Sequence, residues 1–297
     1  MAQEFSLELN PCPTEGHGVH RWIYYAACTL TDAGMPSEDA EAIIEELMTR
    51  PPKPHSEVED ALRSARGERK PGPRWTPALP HRIAEVAKAG PSLRDLVSRS
   101  PQLIQPGQCS KTEEYIDALF PGDPWLCVGK TDSRFCTARR ASWRGLLAQQ
   151  ALIVPSPMSA EKGRTKQGKL SYHSEANTGP RRFLVVEFDS GTLDQQAALI
   201  WHLAQSAPLA LVVFSGSKSA HSWFFCEGQP EDRPTRFFDY ATSLGADSKT
   251  WSRSQFVRMP DGIRTDGKTS EALAAAGISC VAKGRQAVLY FNPGVIR

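Results

Sequence analysis

The chain has 297 residues, of which 40% are hydrophobic and 23% are charged. This composition is typical of a folded soluble protein and excludes a disordered or fibrous one, and the length would accommodate one large or two modest domains. The formal net charge is only +2, so any nucleic-acid role must depend on local basic patches rather than on a globally cationic surface.

The cysteines and the N-terminus indicate the compartment. Seven cysteines are present, an odd number, and no pair has CxxC spacing, which favours reduced thiols over disulfides or a zinc site. The N-terminal segment MAQEFSLELNPCP lacks a basic start followed by an apolar core, and no run of about 18 apolar residues occurs. We therefore expect a cytoplasmic protein with no membrane contact.

The N-terminal third has helical periodicity. Residues 19–66 show apolar side chains at helical spacing, most clearly from Ala40 to Met48, and Pro51 and Pro52 follow that stretch. Further helices are predicted near residues 81–89, 92–98 and 110–119. We predict a small all-α helical domain over residues 1–105, followed by a second domain over residues 106–297.

The second domain alternates short strands with helices. Helices are predicted near residues 138–149, 193–205 and 233–244. Strands are predicted near residues 125–129, 151–155, 181–189, 209–214, 221–227, 255–259 and 287–292. The later elements have the order β-α-β-β-α-β, which predicts an α+β domain with an RRM-like antiparallel sheet of the ferredoxin type.

An acidic pair closes one of these strands. The segment LVVEFD, residues 184–189, predicts that Glu187 and Asp189 lie on one face, roughly 6.5 Å apart along the backbone. Carboxylates at this spacing suit a pair of divalent ions, which a third acid would complete. We favour Asp247, which opens the segment DSKTWSRSQFVRMP, over Asp239 in RFFDY.

A second group of residues suits phosphate. The segment SGSKSAHSWF leaves an apolar strand, turns at Gly216 and starts a new strand, on which Ser219 and His221 should point the same way. Hydroxyls, a lysine and forked guanidinium groups are suitable donors to phosphate oxygens. The predicted nucleotide-binding residues are Ser217, Lys218, Ser219, His221, Arg258 and Arg264.

A basic loop precedes the acidic strand. Residues 155–180 contain glycines and several cations, and Arg181 and Arg182 follow directly. This pattern is equally typical of a solvated surface loop and of a flap that contacts nucleic acid. The predicted nucleic-acid-binding residues are Lys162, Arg164, Lys166, Lys169, Arg181 and Arg182.

Together these motifs resemble those of the archaeo-eukaryotic primase superfamily, the primase-polymerases. Glu187 and Asp189 resemble the acidic pair of the family, Ser219 and His221 its SxH motif, and Asp247 its later acid. The resemblance covers residues 124–297 and implies an enzyme, a DNA primase-polymerase of a phage, plasmid or mobile element. Its implied reaction is template-directed nucleotidyl transfer with Mg²⁺ or Mn²⁺.

The resemblance also implies partners. These are nucleoside triphosphates and a single-stranded DNA template with its primer, with Ser219, His221 and Arg258 holding the incoming triphosphate. The helical segment before the second domain resembles the small helical module found beside primase domains, which would bind template or primer or dock a replicative helicase.

Two alternative functions use the same residues. A two-metal nuclease would need the acids but neither the SxH motif nor the arginines. A non-catalytic nucleic-acid-binding module would keep the RRM-like sheet, and Asp189→Ala would then leave every activity unchanged.

Overall fold

The chain forms two compact units. The structure, a computed structural model, describes residues 9–14, 18–67, 75–104, 111–265, 271–276, 278 and 281–296. The units are Met1–Pro73 and Arg74–Arg297. The division therefore lies earlier in the chain than the predicted one at 105/106, because the helices that follow Arg74 pack within the second unit.

The first unit is helical, as its periodicity predicts. Its helices are α1 (Val19–Asp32), α2 (Ser37–Leu47) and α3 (Glu57–Ala65). Apolar side chains at helical spacing face one another in its core, among them Ile23 of α1, Ile44 of α2 and Val58 of α3, all fully buried. Burial of these stripes stabilises helices that are too short to be stable alone in water.

The second unit combines helices and strands. Its helices are α4 (Pro80–Ala89), α5 (Leu93–Ser98), α6 (Thr112–Leu119), α7 (Leu193–Leu203), α8 (Asp232–Ser243) and α9 (Glu271–Ala275). Its strands are β1 (Trp125–Thr131), β2 (Arg134–Arg139), β3 (Leu152–Ile153), β4 (Gly163–Arg164), β5 (Leu170–Ser171), β6 (Phe183–Glu187), β7 (Leu209–Phe214), β8 (Ala220–Phe225), β9 (Val257–Arg258) and β10 (Val288–Phe291). The predicted α+β class is thereby confirmed.

Two four-stranded sheets organise this unit. The larger sheet, which has more residues in its strands, has the order β10-β7-β8-β6, and the smaller has the order β2-β1-β3-β9. All paired neighbours in both sheets are antiparallel. In the larger sheet β8 lies between β6 and β7, which α7 connects, so the split β-α-β unit of the ferredoxin type is present. The last strand, β10, pairs with β7, whereas a ferredoxin-type sheet places its last strand beside the first.

The predicted helix over residues 138–149 is wrong. Strand β2 continues to Arg139, and only short 3-10 turns follow, at Arg140–Trp143 and Leu147–Gln149. Gly145 interrupts any helix here because its φ is +79°. The buried Arg140 guanidinium binds the carboxylate of Glu113 at 2.6 Å, which anchors this irregular segment to α6.

The larger sheet is covered on both faces, and this arrangement places the site. Along β6, Leu184 and Val186 face a core formed with α4, α5, α7 and α8, while Phe183 and Val185 face a second core formed with α6 and the smaller sheet. Because side chains alternate along a strand, Glu187 continues the second series. It therefore ends an apolar stripe on the face that looks toward the smaller sheet.

Two predictions concern thiols and membranes. The described cysteines form no disulfides with one another, and burial raises the pKa of Cys127 to about 12 and that of Cys226 to about 11. These two thiols are therefore unsuited to nucleophilic chemistry near neutral pH. In the described part of the chain, no helix has the length and apolar character needed to span a bilayer.

Candidate functional site

Glu187 and His221 form a cross-strand pair at the end of the larger sheet. The register of β6 and β8 places them directly opposite each other. Ser219, two residues before His221, donates a hydrogen bond from Oγ to Glu187 Oε1 at 2.8 Å, and His221 Nε2 lies 3.1 Å from the same oxygen. The prediction that Ser219 and His221 point the same way is confirmed.

The ring of His221 is buried but retains hydrogen-bonding capacity. Its side chain is 4% exposed, and neither ring nitrogen has a well-aligned hydrogen-bond partner among the described residues. His221 and Glu187 are thus close enough for an electrostatic interaction, but the geometry of the contact is poor for a hydrogen bond. A buried nitrogen without a partner is costly, so a ligand that bonded Nδ1 would relieve this cost.

The environment of Glu187 keeps it ionised. Burial favours the neutral acid, but nearby His221, the Ser219 hydroxyl and Arg258 favour the carboxylate and together lower the pKa of Glu187 to about 2. Glu187 therefore carries its charge at neutral pH. Arg258, which interacts with this negative charge, would also attract a phosphate group.

A cleft of about 500 Å³ opens beside this pair. Glu187 and His221 line it from the larger sheet, and Arg258 lines it from β9, where it is paired in register with Leu152 of β3. The remaining lining residues are Lys130, Thr131, Asp132, Ala151, Leu152, Gln255, Phe256, Arg264 and Thr265. Four residues predicted from sequence, Glu187, His221, Arg258 and Arg264, thus meet in one cavity.

Lys130 and Asp132 are cleft residues that the sequence analysis missed. Lys130 lies near the end of β1, directly after the apolar segment WLCVG, and Asp132 lies in the turn that joins β1 to β2. Polar residues at the end of a buried strand were the signal used for Glu187, and the same signal was present here. This signal is not specific by itself, because the end of β1 reaches the cleft only through the packing of the smaller sheet against the larger one.

Arg264 is positioned by a glycine turn. Its Nη1 donates to the carbonyl oxygen of Ser215 at 3.4 Å. Gly216 has a φ of +78°, and a Cβ atom there would lie 3.1 Å from Arg264 Cδ. The turn needs glycine both for its backbone conformation and for the close approach of this arginine.

Asp189 lies outside the strand and outside the cleft lining. Strand β6 ends at Glu187, and the Asp189 side chain is 57% exposed. Lys218 donates from Nζ to the Asp189 carbonyl oxygen at 2.9 Å, and the same nitrogen is 3.9 Å from Oδ1. The residues that line the cleft do not include Asp189, Ser217, Lys218 or Ser219. Ser219 nevertheless contacts Glu187 directly.

The two candidates for the third acid differ in their surroundings. The main-chain nitrogen of Asp247 donates to the carbonyl oxygen of Glu187 at 2.9 Å, while its carboxylate caps the following turn by accepting from Lys249 N at 3.1 Å. Asp239 instead accepts from the nitrogen and hydroxyl of Thr76 at 2.6 and 2.9 Å. The segment of Asp247 lies beside Glu187, whereas both carboxylate oxygens of Asp239 bind Thr76.

The three predicted metal ligands are not gathered into one cluster. Across the described ranges, no three His, Cys, Asp or Glu side chains are grouped so that they could hold a metal ion. Glu187 is directed at Ser219 and His221, and Asp247 caps its own turn. The two divalent ions therefore stay a prediction.

The basic loop divides into exposed and buried cations. Lys162, Arg164, Lys166 and Lys169 are exposed, on or beside the hairpin of β4 and β5. Lys162 Nζ lies 4.4 Å from the ring centroid of Tyr172. These four side chains are available to a ligand from solvent.

Arg181 and Arg182 do not behave as surface cations. The Arg181 guanidinium donates to the carbonyl oxygen of Trp251 at 2.8 Å and lies 4.2 Å from the centroid of its indole ring. Arg182 donates from Nε to the carbonyl oxygen of Leu119 at 2.7 Å and forms an ion pair with Glu227. Their side chains are about nine-tenths buried, so their assignment to nucleic-acid contact is corrected to structural roles.

Comparison with known proteins gives no relative. No family model matches the chain, and no curated protein and no solved structure resembles it at a significant level.

Proposed function

We propose that this protein is a primase-polymerase, which transfers nucleotides from nucleoside triphosphates to a primer on a DNA template. The observation that carries the proposal is the meeting of Glu187, His221, Arg258 and Arg264 in one cleft. These residues come from three separate segments of the chain, and the residue types and motifs of those segments predict triphosphate or metal ligands.

The charge of the cleft suits a polyphosphate. Lys130, Arg258 and Arg264 line it against the acids Glu187 and Asp132, so cationic side chains outnumber anionic ones by three to two. Arginine forks match phosphate oxygens in a bidentate geometry. In this proposal the three cations orient the triphosphate, and His221 donates a hydrogen bond to one of its oxygens.

Divalent ions belong to the same proposal. Bound Mg²⁺ or Mn²⁺ would neutralise the triphosphate and activate the attacking hydroxyl, with oxygen ligands from Glu187, Asp189 and Asp247. Asp189 has the most accessible carboxylate of these three. Ser219 and His221 would keep Glu187 ionised, and the exposed cations of the β4–β5 hairpin would contact the template backbone.

Primer extension tests the proposal. Purified full-length protein would be incubated with a primed template, labelled dNTPs or NTPs and Mn²⁺ or Mg²⁺. Asp189→Ala should abolish incorporation, because it removes a metal ligand, while template affinity measured by fluorescence anisotropy stays within about twofold. Asp232→Ala is the matched control, since Asp232 on α8 is 63% exposed and outside the cleft.

Three outcomes would contradict the proposal. Cleavage of the template without incorporation would instead indicate a two-metal nuclease. Activity unchanged by Asp189→Ala would indicate a non-catalytic binding module. Equal loss of template binding and incorporation would contradict the separate roles given to the acid and to the basic loop.

A further inference from the structure

A second polar groove lies on the helical side of the larger sheet. It has a volume of about 670 Å³ and is formed by α4, α7, α8 and the segment after α5. These helices pack on the face of the sheet opposite to the one from which Glu187 projects. None of the residues that line the groove also lines the cleft.

The groove contains two arginine–aromatic pairs. The guanidinium carbon of Arg99 lies 4.8 Å from the ring centroid of Trp201, and that of Arg82 lies 5.5 Å from the ring centroid of Tyr240. His202 links the pairs, because it follows Trp201 in the chain and its Nε2 is 2.7 Å from the Tyr240 hydroxyl. The pairs therefore form one continuous surface.

Close helix packing sets this arrangement. Gly90, at the end of α4, lies so near α7 that a Cβ atom there would be 2.4 Å from Ala198 Cβ. This contact brings α4 against the turn of α7 that carries Trp201 and His202. The groove is thus built by the rigid packing of helices rather than by a loop.

The charge and shape of the groove indicate its occupant. Arg82 and Arg99 are exposed, and the acid among the lining residues is Glu85. Single-stranded nucleic acid presents phosphates and flat bases in alternation, and it is typically bound by cations combined with aromatic platforms. An acidic peptide would use the cations but would leave the planes of Trp201 and Tyr240 without a matching group.

We propose that this groove binds single-stranded nucleic acid. Phosphates contact Arg82 and Arg99, and bases stack on the solvent-accessible parts of the half-buried Trp201 and Tyr240 rings. The proposal does not depend on nucleotidyl transfer, because it needs neither the cleft, nor a triphosphate, nor a metal ion.

The test uses full-length protein and a fluorescein-labelled oligo-dT 20-mer, without metal or nucleotide. The double variant Arg82→Gln/Arg99→Gln should bind at least tenfold more weakly at about 0.1 M salt, and the slope of log K against log salt should fall by about 1.4 for two lost phosphate contacts. Arg144→Gln is the matched control, since Arg144 is exposed and lies outside both cavities; its affinity should change less than twofold.

Two further measurements make the result specific. Arg82→Lys/Arg99→Lys keeps the charge and should give an intermediate affinity, because lysine lacks the flat guanidinium that stacks on a ring. Ultraviolet crosslinking of the oligonucleotide should modify peptides that contain Trp201 or Tyr240. Thermal unfolding of each variant establishes that it is folded.

Several results would overturn the proposal. One is equal affinity of the double glutamine variant and the wild type, and another is crosslinking confined to the β4–β5 hairpin. Displacement of oligo-dT by poly-glutamate as effectively as by unlabelled oligo-dT at equal charge would overturn it in favour of an acidic protein partner.

Discussion

The acid sensitivity of the protein should depend strongly on Glu187. Interactions in the folded state lower its pKa from 4.5 to about 2, a difference of about 2.5 pH units at about 1.4 kcal/mol per unit. The ionised carboxylate therefore contributes about 3 kcal/mol to the free energy of unfolding. Because its pKa is depressed on folding, this contribution is complete above pH 4.5 and is lost as the pH falls toward 2.

Glu187→Gln tests this reasoning directly. The amide can still accept the Ser219 hydroxyl, but it loses the attraction to His221 and Arg258. We expect the variant to be less stable by up to about 3 kcal/mol at pH 7, and we expect this deficit to shrink by about 2 kcal/mol at pH 3.

Urea unfolding followed by tryptophan fluorescence measures the effect, since every tryptophan except Trp22 lies in the unit of Glu187. Glu114→Gln is the matched control because Glu114 is exposed on α6, and its stability should stay within about 0.5 kcal/mol of wild type. A deficit of Glu187→Gln that is the same at pH 3 as at pH 7 would refute the assigned electrostatics.

Two further substitutions probe other parts of the structure. Glu57 is buried, and its pKa is lowered to about 2, chiefly by hydrogen bonds from Arg50. Glu57→Gln should therefore lower the free energy of unfolding of the first unit by about 3 kcal/mol. Hydrogen exchange of the α1 and α3 amides in the full chain measures this, and unchanged exchange would contradict it. Gly216→Ala and the control Gly228→Ala both place alanine at positive φ, where each should lose about 1 kcal/mol of stability. At Gly216 the new Cβ would also lie 3.1 Å from both Arg264 Cδ and the Gly284 carbonyl oxygen, whereas nothing lies within 4 Å of it at Gly228. Only Gly216→Ala should therefore lose additional stability and weaken binding of a non-hydrolysable nucleoside triphosphate; equal affinities would argue against Arg264 as a ligand of the triphosphate.

The sequence by itself determined the local structure and the orientation of the central side chains. Helical periodicity placed the helices of the first unit, and strand alternation put Ser219 and His221 on the same side of the chain. The same alternation extended the acidic strand to Asp189, whereas β6 ends at Glu187. These features depend on near neighbours in the chain. The 3.6-residue period of a helix and the two-residue alternation of a strand were therefore sufficient to predict them. Residue type alone was enough to identify candidate phosphate ligands. It could not predict the distances between them in the folded protein.

Only the tertiary structure decided which of these residues meet and which are used internally. The pairing of β3 with β9 and the facing of the two sheets bring Arg258 and Lys130 to the cleft, and these contacts join segments far apart in sequence. A buried guanidinium and an exposed one look alike in a sequence, so the buried Arg182, which donates to the Leu119 carbonyl oxygen, could not be distinguished from the exposed Arg164. Burial and long-range pairing are properties of the packed chain, and they assigned structural roles to some predicted cations and a place in the cleft to others.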